Sequence, residues 1–295
     1  MNWMIQNWTT GELNALVKNL GGEEVARKIQ KGEVKVSLEE AIKMLFDKSG
    51  RRIPQGLTAE VCDPDLDFGL YRLQEIDYNR RLQLLRRVLR GVDTGINAEC
   101  FQQEAERQLA LIRDNSQIAN IIDGVWLPVI MPQLTTEDLG EILENYVEAA
   151  GKSYIANSYR RFYNRRKGTS AGKIYIVDES RYDQFIGRMK QGAVIGIYFP
   201  KSLQGFSINA CREQITELPE GFILSGLDTI IAMIMYPDIL ARGYRTLSLC
   251  LAALSWQSAD FSLEFDVDNS RLNFGSTAHL VNARGAYSGG LLFVG

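Results

Sequence analysis

The sequence predicts an α+β protein: a helical first part, residues 1–170, followed by a smaller α+β part, residues 171–295. Three observations carry this. Apolar residues recur at helical spacing through the first part. Two short β-type runs, residues 173–177 (KIYIV) and 193–199 (AVIGIYF), bracket an amphipathic helix over residues 178–190. Beyond Gly243 the apolar period becomes two, with Leu247, Leu249 and Leu251 alternating and then Phe261, Leu263 and Phe265. A chain of 295 residues also suits two domains at roughly 100–200 residues each.

The elements follow in order. Thr9 and Glu12 have the spacing of a capping box, in which each side chain satisfies an orphan amide of the other's turn. Gly21 and Gly22 end that helix, and Ser37 with Glu40 predicts a second box. Residues 50–67, with Pro54, Gly56 and Pro64, read as a loop. Leu82, Leu85 and Leu89 place a helix over residues 78–90, with Arg80, Arg81, Arg86, Arg87 and Arg90 outside the apolar stripe. Another helix covers residues 98–113, and Thr135 with Asp138 starts the next. Residues 159–167, where Tyr159, Phe162 and Tyr163 mix with Arg160, Arg161, Arg165, Arg166 and Lys167, read as a basic linker before the boundary at 170. Asn209 is expected to cap a short helix, and Ser225 and Asp228 to open an apolar one ending near Pro237. Asp268-Asn269 suits a tight turn between strands.

Composition narrows the function classes. Hydrophobic residues at 45% and charged residues at 23% are those of a globular chain, and a net charge of −3 argues against whole-chain affinity for nucleic acid. No basic segment followed by an apolar core opens the sequence. The longest apolar stretch, residues 230–235, falls far short of the roughly 20 residues that span a bilayer, so a cytoplasmic protein without a membrane span is expected. Cys62, Cys100, Cys211 and Cys250 are widely spaced and His279 is the single histidine, which predicts free thiols and no metal or cofactor. Asp266, Asp268, Asn269 and Ser270 cluster, but Arg271 occupies the place where a calcium loop needs glycine. No nucleophile elbow, zinc-protease or phosphate-loop motif is present, and the chain is expected not to be an enzyme.

From Arg242 onward, spaced apolar positions (Leu254, Trp256, Phe261, Leu263, Phe265, Leu272, Phe274, Leu280, residues 291–294) frame small and polar ones. The last lysine is Lys201. After Gln257 there is no Gln, Met or Trp, and Glu264 is the only Glu. In LSWQSADFSLEFD (254–266), YSGGLLFVG (287–295) and GFILSGLDTIIAMIMYPDIL (221–240), residues 171–295 resemble the variable proteins of diversity-generating retroelements, which have a C-type lectin fold; otherwise the chain resembles uncharacterised bacterial proteins. The resemblance implies a lectin-like C-terminal domain whose exposed residues are diversified when a template is copied with errors opposite adenines. The codons that result encode no Lys, Gln, Glu, Met or Trp. Glu264 departs from that pattern and is assigned to the framework or to a position outside a randomised codon, and the tryptophan-glycine turn common near the end of such folds is missing.

The expected recognition surface consists of Tyr244, Arg245, Asp266, Asp268, Asn269, Arg271, Asn273, Ser276, Thr277, His279, Asn282, Arg284 and Tyr287, each lying between framework positions and therefore expected to point outward. Its partner would be a protein or other macromolecule, bound without chemistry. Two alternatives stand beside this: a nucleic-acid-binding accessory protein using residues 80–90 and 159–167, and an enzyme of the formylglycine-generating, sulfatase-modifying type. Such an enzyme would need a reactive cysteine, for which the tail offers only Cys250, set in the apolar alternation LSLCLAAL.

Overall fold

The structure, a computed structural model, describes residues 9–34, 43–89, 94–158, 160–243, 245–268 and 271–295. It comprises two compact units, Met1–Ile42 and Lys43–Gly295. In the first unit, Thr9 caps α1 (Thr10–Asn19): its hydroxyl accepts the Glu12 amide at 3.3 Å, and the Glu12 carboxylate accepts the Thr9 amide at 2.7 Å. Gly21 and Gly22, both with positive φ, then turn the chain into α2 (Glu23–Gln30). The box expected at Ser37 and Glu40 lies outside the described residues.

The second unit is α+β. In chain order it contains α3 (Tyr78–Val88), α4 (Ala98–Asp114), β1 (Leu127–Met131), α5 (Leu139–Ser158), β2 (Arg161–Asn164), β3 (Ile174–Ile176), α6 (Tyr182–Gln191), β4 (Val194–Phe199), α7 (Ile208–Gln214), β5 (Phe222–Leu224), α8 (Leu227–Met235) and α9 (Pro237–Leu240). It closes with β6 (Ser248–Cys250), β7 (Leu254–Trp256), β8 (Ser262–Asp268), β9 (Arg271–Thr277), β10 (Tyr287–Ser288) and β11 (Leu291–Phe293). One sheet has the order β1-β4-β11-β5 and another β10-β6-β8-β9-β2; β3 and β7 form a pair of their own.

The boundary expected at residue 170 falls inside this unit. β1 pairs antiparallel with β4 from Leu127↔Tyr198 to Met131↔Val194, and β2 pairs with β9. Within the segment read as a basic linker, Arg161–Asn164 is therefore a strand. In this unit α3 and α5 also bury apolar residues on α8, and α4 on β4, all elements that come after residue 170. α8, every residue of which is buried, packs against α3, α5 and β1, and a helix apolar on all sides needs such partners.

Two local expectations are corrected. Ser207, not Asn209, caps α7, its hydroxyl accepting the Ala210 amide at 3.1 Å. Arg81 is not on a solvated face. It is 4% exposed, makes a two-pronged contact with Asp238 at 2.5 and 3.0 Å, and stacks over the Tyr236 ring at 4.4 Å. α3 lies on α8, so the position beside the leucine stripe meets protein, and the guanidinium is kept there by a fork of hydrogen bonds.

Candidate functional site

The β8–β9 hairpin positions the site. Its register runs from Ser262↔Thr277 to Asp268↔Arg271, and the two-residue connection at 269–270 lies outside the described residues. Alternation puts Leu263, Phe265 and Val267 on one face with Ser276, Phe274 and Leu272. Glu264 and Asp266 share the opposite face with Gly275 and Asn273. The rings of Phe265 and Phe274 meet at 4.9 Å on the apolar side. Neighbouring strands extend the polar row: Cys250 of β6 lies beside Glu264, Tyr163 of β2 beside Asn273, and Tyr287 of β10 beside Ser248.

Glu264 is the chemical centre of this face. Burial pushes its carboxyl up to about 7, Asp266 adds to the rise, and Arg284 and Arg165 oppose it. Its Oε2 has no hydrogen-bond partner among the described residues. The Tyr287 hydroxyl is likewise raised, by burial and then by Glu264, and it accepts a hydrogen bond from Arg284 at 3.0 Å. The resemblance places Glu264 in the framework or outside a randomised codon. The signal that finds it is the period of two, which sets residue 264 opposite Leu263 and Phe265.

The thirteen predicted residues separate. Asp266, Asn273 and Tyr287 lie on the polar face, with Arg284 beside it and exposed Arg271 at the hairpin end. Asn273, expected to point outward, is 0% exposed, and both its amide nitrogen and oxygen lack partners among the described residues. It stands on a central strand, with Asp266 opposite it on one side and Tyr163 on the other. Thr277 is also buried, at 7%, its hydroxyl accepting the His279 amide, and Ser276 falls on the apolar face. His279 and Asn282 are exposed on a loop held elsewhere, where Asn209 donates to the Leu280 carbonyl and the Ala283 amide donates to Glu60. Arg245 lies 3.9 Å from Asp67 and, with Arg242 and Tyr71, lines a separate cavity of about 540 Å³. Tyr244, Asn269 and the side chain of Asp268 are outside the described residues.

The other candidates can be placed too. Cys250 is buried, and burial, then Glu264, pushes its thiol well above the ordinary value, so it is protonated at neutral pH. Asp228 is fully buried at the start of α8 and raised to about 6 by burial, against the Gly226 amide it accepts at 2.6 Å; Tyr182 also donates to it. It clasps the helix start from inside the core. Among the described residues no three His, Cys, Asp or Glu side chains are grouped to hold a metal ion, and no helix is long and apolar enough to cross a membrane. No family model matches this chain, and comparison with curated proteins and with solved structures finds no significant match.

Proposed function

We propose that the second unit is a binding module, of the kind displayed by the variable proteins of diversity-generating retroelements with their C-type lectin fold, and that it holds a macromolecular ligand non-covalently. One observation carries this: the C-terminal strands segregate an apolar framework to one face and Glu264, Asp266, Asn273 and Tyr287, with Arg284, to the other. Such a scaffold tolerates change at its exposed positions while its core is kept. Arg and Tyr supply anchoring contacts, here exposed Arg284 and half-buried Tyr287.

The genetic test is to sequence the DNA flanking the gene for a second copy of the stretch encoding residues 242–295 that differs mainly at adenines, next to a reverse-transcriptase gene. The protein test is combined substitution of the exposed residues Arg271, His279, Asn282 and Arg284 by alanine. Each change is expected to alter stability by less than about 0.5 kcal/mol. Unfolding of the domain by these changes, or a flanking region holding neither element, would refute the reading.

A further inference from the structure

We propose that the open edge of β2, with the groove between it and α5, takes up an extended acidic strand of a partner protein, which adds to the five-stranded sheet beyond β2. The site borders the polar face but does not depend on the function proposed for it.

β2 closes the sheet and pairs on one side only, parallel to β9. The Arg165 amide donates to the Phe274 carbonyl at 2.9 Å, so residues 161, 163 and 165 direct their backbone groups toward β9. In a strand the next residues direct theirs the other way. Phe162 and Asn164 therefore turn an N–H and a C=O each toward the open side, where no described residue pairs with them. The edges of the other sheet differ: β1 and β5 are buried throughout. An open edge of this kind is a template for strand addition.

Beside it runs a groove of about 510 Å³, lined from α5 by Gly151, Lys152 and Ile155 and from the strand side by Phe162, Tyr163 and Lys167. Gly151 brings α5 and β2 close, since a Cβ there would stand 2.2 Å from the Phe162 ring. Ile155 and Tyr163, 49% and 55% exposed, give the groove apolar surface that nothing described covers.

Charge selects the occupant. Arg160, Arg161, Arg165, Arg166 and Lys167 crowd the strand, and Arg161 and Arg165 are exposed. Of the two acids that line the groove, Glu148 is paired with Lys152 at 2.6 Å and Glu144 accepts the Ser170 amide at 2.6 Å. A second copy of β2 would set like charges against each other, which is unfavourable. Single-stranded nucleic acid would need bases stacked on aromatic faces, but Phe162 is half-buried near α5, leaving Tyr163 as the one exposed ring described in β2. A strand with carboxylates on the side of Arg161 and Arg165, and apolar residues on the side of Ile155, meets both surfaces.

The test uses the full chain and fluorescein-labelled, end-blocked seven-residue peptides that alternate Asp or Glu with Val, Ile or Tyr. Controls are the same peptides N-methylated at alternate residues, peptides with Lys and Arg in place of the acids, and a seven-nucleotide oligothymidine. Acidic peptides are expected to bind, to weaken about tenfold or more on N-methylation of the pairing edge, and to slow hydrogen exchange at the Phe162 and Asn164 amides. Arg161→Glu should weaken the acidic peptides by a similar factor and favour the basic ones, with unchanged thermal stability. Equal binding of N-methylated peptides, tighter binding of the oligonucleotide, or no peptide bound below about 1 mM would each overturn the proposal.

Discussion

Replacing Glu264 by Gln isolates the electrostatic cost of the polar face. The carboxyl is raised from 4.5 to about 7 by burial, then by Asp266, and each pH unit of that gap corresponds to about 1.4 kcal/mol. Because the folded value exceeds the unfolded one, Glu264's contribution to stability is full below pH 4.5. It falls as pH rises toward about 7 and is fully lost by about pH 8. Between pH 5 and 8 the loss is roughly 2.5 kcal/mol. Gln does not ionise, so the stability difference between variant and parent should move in favour of the variant by that amount over the same range. Urea unfolding of both proteins at half-unit steps from pH 5 to 8 measures it. Asp228, raised to about 6, has the same sign but is present in both proteins and cancels in the difference. Parallel pH profiles for the two proteins would show that Glu264 is ordinarily solvated and would refute the reasoning.

Three further outcomes are expected. Asn273→Val, which removes an unpartnered buried amide from a central strand, should raise stability by roughly 1 kcal/mol in the free protein, read as an increased Tm; a destabilised variant would show that the amide is paired in the fold. Gly151→Ala forces a Cβ into the Phe162 ring and should cost roughly 1–3 kcal/mol, measured by denaturant unfolding, while Gly187→Ala, on α6 with open space at the Cβ position, should cost nothing. Alkylation of the native protein followed by mass spectrometry should modify exposed Cys100 and partly exposed Cys62 while leaving Cys211, raised to about 12 by burial, and Cys250 untouched. Rapid labelling of Cys250 would restore the cysteine-enzyme alternative.

What the sequence made legible was local. The Thr9–Glu12 box, the helices at Tyr78–Val88 and Ala98–Asp114, and the alternation through Leu263 and Phe265 depend on residues within a few positions of one another, and all are present. The same alternation could have separated Glu264 from the framework, because residue 264 lies on the opposite face from its neighbours. What escaped sequence reasoning depends on distant partners. Arg81 looked solvated until Asp238 lay across from it, and Asn273 looked exposed until Asp266 and Tyr163 stood on either side. Residues 159–167 looked like a linker because the strand in them is four residues long and pairs with a segment more than a hundred positions away.

By itself, then, the sequence determined the period of the helices at Thr10–Asn19, Tyr78–Val88 and Ala98–Asp114 and the apolar side of the strand through Leu263 and Phe265, since both arise from backbone geometry acting over a few residues. Only the tertiary structure decided that the Lys43–Gly295 segment is one unit, that Glu264 sits half-enclosed beside Asp266, and that β2 ends its sheet with an open edge. Those properties arise from which surfaces exclude water from which. Burial shifts a carboxyl or hides an amide only when side chains far apart in the chain close around it.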